Sequence, residues 1–462
     1  MLPDWIKKSS FYLLFVVLLI APLWRGGYFP EQKWYLAVGL LAAGAVELAV
    51  AIAGGRWRAA WSPGFLLLAL FAGYAVTTRA WSATPEITNR ESMLMLGYLA
   101  VYFVVRAQLL RYGMSALESI AAWFVYTASF TAGWGLIAFI WRWEPYTGLV
   151  DNVYRAGSTF EYSNALSCFC LMALPVTVAI MRQPGSRDRP ELAAAVCLQA
   201  AAVIVSYARF GIIALALLSI YLVITGRRGG FMLSTAISLA ASVPIAIVAT
   251  MAAEANMPSI GTVVAMVILV AVWSIERGMD NPVFRRTLRI VAAMVAAAGL
   301  VIAAVLAAAS ERMREIINIR FEEGMSLSSL LPHRLGTWQG TVDALKVRPV
   351  TGSGLGSFAT VYSEHAIAVY TKYAHNLILQ MAVDTGIIGA ALLVLFLVYV
   401  AVLSLKWLIV KTNSVAGALA ISCLIFIIYN MFDWEWYLPA ITAWFVVAAA
   451  CVEKIPDVDE RG

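Results

Sequence analysis

Uninterrupted apolar runs, many of them about twenty residues long, leave this chain few ways to fold. In a bilayer no water is present to satisfy a loose backbone, so such runs cross as helices whose hydrogen bonds are all internal. A helical span needs about 17–25 residues. Stretches of that kind fall near 9–24, 34–53, 63–79, 92–106, 116–141, 163–181, 191–208, 210–226, 231–253, 260–276, 287–309, 376–405, 414–432 and 437–452. Only 13% of the 462 residues are charged, against roughly 25% in a soluble domain. The expected fold is an all-α polytopic membrane protein with about 12–14 transmembrane helices and one long outer loop containing amphipathic helices.

The net charge of +6 does not call for nucleic acid, because no basic run is long enough to form an arm for it. Basic residues fall instead between alternate spans. With the N-terminus inside, the cytoplasmic segments hold Lys7, Lys8, Arg56, Arg58, Arg106, Arg111, Arg182, Arg187, Arg189, Arg227, Arg228, Arg277, Arg285, Arg286, Arg289, Lys406, Lys411, Lys454 and Arg461. The short outer loops hold only Arg25, Lys33, Arg79, Arg90, Arg142, Arg155 and Arg209. This bias puts both termini in the cytoplasm. Three parts follow: transmembrane helices with short loops over 1–309, an extracytoplasmic loop over 310–375, and C-terminal transmembrane helices with a short tail over 376–462. Lys7 and Lys8 before an apolar run look like a signal peptide, but APLWRGG offers no small-x-small cleavage site, so the first helix is expected to be retained. Cys168, Cys170, Cys197, Cys423 and Cys451 sit in apolar runs and read as core side chains.

All three histidines, His333, His365 and His375, fall in or at the end of the long loop. Met313, Ile316, Ile317 and Phe321 recur at helical spacing and suit a helix lying on the membrane surface. Arg334, Leu335, Trp338, Val342 and Leu345 define a second amphipathic helix, ended by Arg348 and Pro349. Arg334 and Trp338, four apart, share a face of it. The following TGSGLGS reads as a chain reversal whose backbone amides could approach a substrate closely. It is no dinucleotide fingerprint, having neither a preceding strand nor a βαβ unit. Elsewhere on the outer side, Arg155 precedes a Gly-Ser-Thr turn, Ser163 is positioned to cap the sixth span, and Arg209 stands between two apolar runs, where a charge is costly to keep.

Taken in order, RAGSTFEYSNALSCFCLMALP, SYARFG, RLGTWQGTVDALKVRPVTGSGLGSF and AHNLILQMAVDTGIIG resemble the O-antigen ligase and polymerase superfamily across Arg155 to Gly389. The sequence departs from that pattern at Ala208, where the family commonly has Ser before the Arg. The resemblance implies a glycosyltransferase that moves a glycan from an undecaprenyl-diphosphate carrier to an acceptor such as lipid A–core. Transfer would occur on the periplasmic face of the bacterial inner membrane, without a cofactor. It also implies related readings: an O-antigen or exopolysaccharide polymerase, or a protein O-oligosaccharyltransferase. A transporter is the reading from another class; it would want ionisable groups and helix breaks near mid-membrane, for which only Pro175 and Pro244 speak.

The residues suit lipid-diphosphate chemistry. The leaving group gathers negative charge, which planar guanidinium groups neutralise through paired hydrogen bonds; Arg155, Arg209 and Arg334 are the candidates, with Trp338 and Asn376 in support. The outer loops contain no Asp-x-Asp, and their acids are scattered, so a metal-independent site is expected. His375 is the candidate base for an acceptor hydroxyl. His333 and His365 match no position of the family and read as structural or solvated.

Overall fold

The structure, a computed structural model, describes residues 3–55, 58, 61–150, 152–183, 189–226, 232–278, 310–319, 327–366, 371–410 and 414–454. The expected span at 287–309, Phe321 and the side chain of His333 lie outside the described residues. Every other expected span coincides with a helix. In order these are α1 (Asp4–Leu23), α2 (Pro30–Ala53), α3 (Pro63–Thr77), α4 (Pro85–Tyr112), α5 (Met114–Ile140), α6 (Ser163–Met181), α7 (Glu191–Val205), α8 (Arg209–Thr225), α9 (Met232–Glu254) and α10 (Pro258–Gly278). After the long-loop helices α11 (Glu311–Ile317), α12 (Leu327–Leu345) and α13 (Phe358–Ser363) come α14 (Leu377–Val410), α15 (Val415–Tyr429) and α16 (Pro439–Lys454). The protein is an all-α polytopic membrane protein. Among the described residues nine helices are long and apolar enough to cross a membrane, and four shorter ones are also apolar. The only sheet among them is a two-stranded hairpin, β1 (Thr147–Val150) with β2 (Val153–Ala156).

Helix termini follow the local chemistry. Pro30, Pro63 and Pro85 open α2, α3 and α4 at positions where a missing N–H costs nothing. The Ser62 hydroxyl accepts from the Phe65 amide to cap α3, and Ser310 caps α11 through Met313 N. The cap expected at Ser163 is absent. Tyr162 occupies that cap position with no side-chain bond, and Ser163 is already the first, buried residue of α6. In α14, Gly386 adopts φ 67° and ψ −178°, conformations open to glycine, and divides the element into a short half-helix and a long span.

Two compact units share the chain: Met1–Ile120 with Leu327–Val410 and Leu419–Gly462, and Ala121–Ser326 with Lys411–Ala418. In the first, α4 packs on α2, α3 and α16, and α14 packs on α3 and α12. In the second, α7 packs on α6 and α9, and α9 on α8 and α10. Outward faces are apolar: Val263, Met266, Val267 and Val270 of α10 are all more than half exposed, as side chains that contact lipid tails should be.

Charges inside the first unit are satisfied by converging donors. Glu453, near the end of α16, accepts from the Tyr102 hydroxyl at 2.7 Å, Arg106 Nη1 at 3.0 Å, the Tyr399 hydroxyl at 2.7 Å, the Gly64 amide at 2.8 Å, and the Ser62 hydroxyl. Arg106 and Glu453 side chains are only 9% and 5% exposed. Removing the carboxylate breaks a buried ion pair, which typically costs about 3–5 kcal/mol. Glu453→Ala should therefore lower the melting temperature of detergent-solubilised protein sharply, with Glu453→Gln milder. Equal melting of Glu453→Ala and wild type would contradict this account.

Candidate functional site

Asn376 is the residue that starts α14. Its Oδ1 accepts from the Leu379 amide at 3.0 Å, and its Nδ2 donates to the Met431 carbonyl at 3.2 Å. Leu377 N reaches the Asn430 carbonyl at 2.9 Å, so the helix start is tied to the turn between α15 and α16. Asn430 shapes that turn by accepting from the Trp436 amide at 2.7 Å.

His375, one residue earlier, has φ +52°. For a residue with a Cβ this left-handed region costs of order 1–2 kcal/mol, and here the surroundings hold it. The Ala374 amide donates to Gln380 Oε1 at 2.9 Å, and the His375 carbonyl accepts from Arg334 at 3.4 Å. The twist brings the imidazole to Asp433, with Nδ1 and Oδ1 2.9 Å apart. The Asp433 side chain is 4% exposed and that of His375 29%. When Nδ1 donates to that carboxylate, Nε2 is the ring nitrogen left to accept a proton. The flanking rings are packed as well, Trp434 stacking on Tyr373 at 4.3 Å between centroids.

The spacing argument for Arg334 and Trp338 holds in three dimensions. Both turn from α12 toward the strand of chain before α14. Trp338 Nε1 donates to the Ala374 carbonyl at 3.1 Å, and Arg334 Nη1 donates to the Phe432 and His375 carbonyls. One guanidinium nitrogen thus braces the two backbone stretches that carry the His–Asp pair, and its charge stands beside them.

His365 lies outside this cluster; its backbone carbonyl closes on α12, where a Cβ on Gly340 would lie 2.6 Å from it. The glycine turn does not offer its amides to a substrate. Ser353 N donates to the Val383 carbonyl, Gly354 N to the Asp384 carbonyl, Leu355 N to the Thr78 hydroxyl and Phe358 N to Asp384 Oδ1. The turn is instead a latch seated on the break in α14. A Cβ on Gly352 would lie 2.3 Å from Gly386 N, and one on Gly386 2.1 Å from the Val350 carbonyl, so both positions need glycine.

Arg155 and Arg209 belong to the second unit. Arg155, on β2, donates from Nε to the Ser206 carbonyl and from Nη2 to Asn164 Oδ1, each at 2.8 Å. It thereby ties the hairpin to the start of α6 and to the α7–α8 junction. Arg209 is the first residue of α8 and half-buried. A cation at a helix N-terminus is opposed by the helix dipole. The preceding Tyr207 is also left-handed, at φ +49°, and its hydroxyl is 2.8 Å from that of Thr250.

Sequence reasoning missed Asp433. The available signal was FDWEWY, two acids among aromatics between the last two apolar runs. Among the described residues, no three of His, Cys, Asp and Glu stand together as a metal ligand set. Residues 241–394, about a third of the chain, match the family model described as O-Antigen ligase. The matched region includes His375, Arg334 and the glycine turn, and excludes Arg155, Arg209 and Asp433. No curated protein matches the chain.

Proposed function

We propose that this chain, whose residues 241–394 match the O-Antigen ligase family model, transfers a glycan from undecaprenyl diphosphate to lipid A–core on the periplasmic face of the bacterial inner membrane. The observation that carries this reading is the 2.9 Å contact between His375 Nδ1 and buried Asp433. In the proposed step, Nε2 of His375 takes the proton of the acceptor hydroxyl. The freed oxygen attacks the anomeric carbon, and the sugar–diphosphate bond breaks with its electrons on the diphosphate. Asp433 fixes the tautomer and stabilises the imidazolium as it forms. Trp338 and Asn376 hold the backbone on either side of the imidazole.

Arg334, Arg155 and Arg209 are proposed to bind the donor diphosphate, since guanidinium is the side chain best shaped for phosphate oxygens. In this reading the loop over 310–375 is extracytoplasmic and both termini are cytoplasmic. The direct test supplies purified protein with a defined lipid-diphosphate glycan and two acceptors, lipid A–core and a second carrier-linked unit. Transfer to lipid A–core supports a ligase; extension of the carrier-linked glycan alone would make the protein a polymerase. Transfer to neither would reject the proposal.

Two further results are expected. With guanidinium groups in place of a cation, transfer persists in excess EDTA; loss of activity restored by Mg²⁺ or Mn²⁺ would overturn the metal-free step. Arg209→Lys keeps the charge but loses the planar fork, and should cut transfer severely while expression and membrane insertion stay normal. Near-wild-type transfer by that variant would reduce Arg209 to an anchor for the end of α8.

A further inference from the structure

Two residues beyond Asp433, on the short turn Glu435–Tyr437, a second carboxyl is completely buried. No hydrogen-bond partner from another element reaches either oxygen of Glu435 among the described residues; its own backbone amide and the Asp433 carboxyl are the polar groups closest to it. The groups around it are few. Asp433 is on the same stretch, with Oδ1 already accepting from His375 and from the Trp434 amide at 3.1 Å. Arg334 approaches from α12. From α16, the Thr442 hydroxyl donates to the backbone carbonyls of Glu435 and Trp436, not to the carboxyl. Against the neighbouring Trp436 lie the rings of Phe71 from α3, Tyr98 from α4 and Phe426 from α15.

An ionised carboxylate sealed in this setting beside a second carboxylate would cost several kcal/mol. A second negative charge there would also change what His375 can do. An opposite charge within about 4–6 Å raises the proton affinity of an imidazole by one or more pH units. A doubly negative surrounding favours imidazolium over the neutral ring, and the neutral ring is the form a base needs.

We infer that Glu435 is a neutral carboxylic acid and acts as a positioning residue, reaching His375 through Asp433 and limiting the negative charge behind the imidazole to one. Burial, and then the Asp433 carboxylate, both push the Glu435 carboxyl well above the usual range, while the Arg334 guanidinium pulls the other way. No net proton transfer is involved: the acid keeps its proton throughout the cycle. The inference rests on the glycosyl-transfer reading for its purpose, but not for its test.

The test compares full-length, detergent-solubilised wild type with Glu435→Gln and Asp433→Asn. In the infrared spectrum at pH 7, wild type should show a protonated-carboxyl carbonyl component that is missing in Glu435→Gln. Melting supplies the second reading. A native carboxyl that holds its proton above the unfolded value of about 4.3 gives stability that is full below that pH and is lost as pH rises toward the native value. Wild-type melting temperature should therefore decline over that window, the decline should be smaller in Glu435→Gln, and Asp433→Asn should shift it to lower pH. An unchanged infrared band, or parallel melting profiles in wild type and Glu435→Gln, would overturn the inference whether or not the protein transfers glycans. Where transfer is measurable, the acid limb of its pH profile should stay in place in Glu435→Gln. A move to lower pH by on the order of one unit would mean that the native residue is charged.

Discussion

His375→Ala is expected to fold, insert and bind donor, and to transfer glycan about 10²–10⁴-fold more slowly, the usual contribution of a general base. The left-handed backbone at this position makes the alanine variant slightly strained, so His375→Gly serves as the control for folding. Both should show the same loss of turnover, because the defect lies in the missing imidazole and not in the backbone. Donor affinity, measured with a non-transferable lipid diphosphate, should hardly move. Activity within a few-fold of wild type would reject His375 as the base. A defect explained wholly by weaker donor binding would reassign it as a phosphate contact.

Asp433→Asn should be nearly as damaging, with turnover lower by about 10³–10⁴-fold, as expected when the carboxylate behind a catalytic imidazole becomes an amide. The amide is the same size and can fill the same 4% exposed position. It can also present N–H to Nδ1, which shifts the imidazole proton to Nε2 and removes the lone pair the reaction uses. Asp433→Glu, which keeps the acceptor, should retain more activity than Asp433→Asn. The reverse order, or equal activity in all three proteins, would show that Asp433 supports the turn and does not orient the base.

Helices were legible because the bilayer enforces a simple relation between apolar length and structure, and each described run confirms it. The halves of α14 were legible only as an ambiguity, since a glycine in a long apolar run marks a break only where something seats against it. That partner, Val350–Gly352, is more than thirty residues away. Arg334 and Trp338 could be placed on one face because helical spacing is local, and Asn376 directly follows His375; that this face meets the backbone at His375, 41 residues from Arg334, no local pattern shows. Asp433 could not, as it meets His375 across a sequence separation of 58 and no local pattern pairs them. The glycine turn misled for the same reason: the carbonyls that consume its amides, Val383 and Asp384, lie in another element. Ser163 had the right chemistry for a cap and the wrong position by one residue.

The Glu453 cluster sets an order of events during synthesis. A ribosome releases the chain from its N-terminus, and Glu453 emerges 351 residues after Tyr102 and 391 after Ser62. Until then Arg106 waits in α4 without its carboxylate. The half-built first unit already holds its Lys33–Glu91 and Arg111–Glu47 pairs, and it gains the Glu453 cluster only once α16 has been inserted. A nascent chain arrested before that point would lack the acceptor on which α3, α4 and α14 converge, a difference by which an insertion factor or membrane protease could distinguish unfinished protein from finished protein.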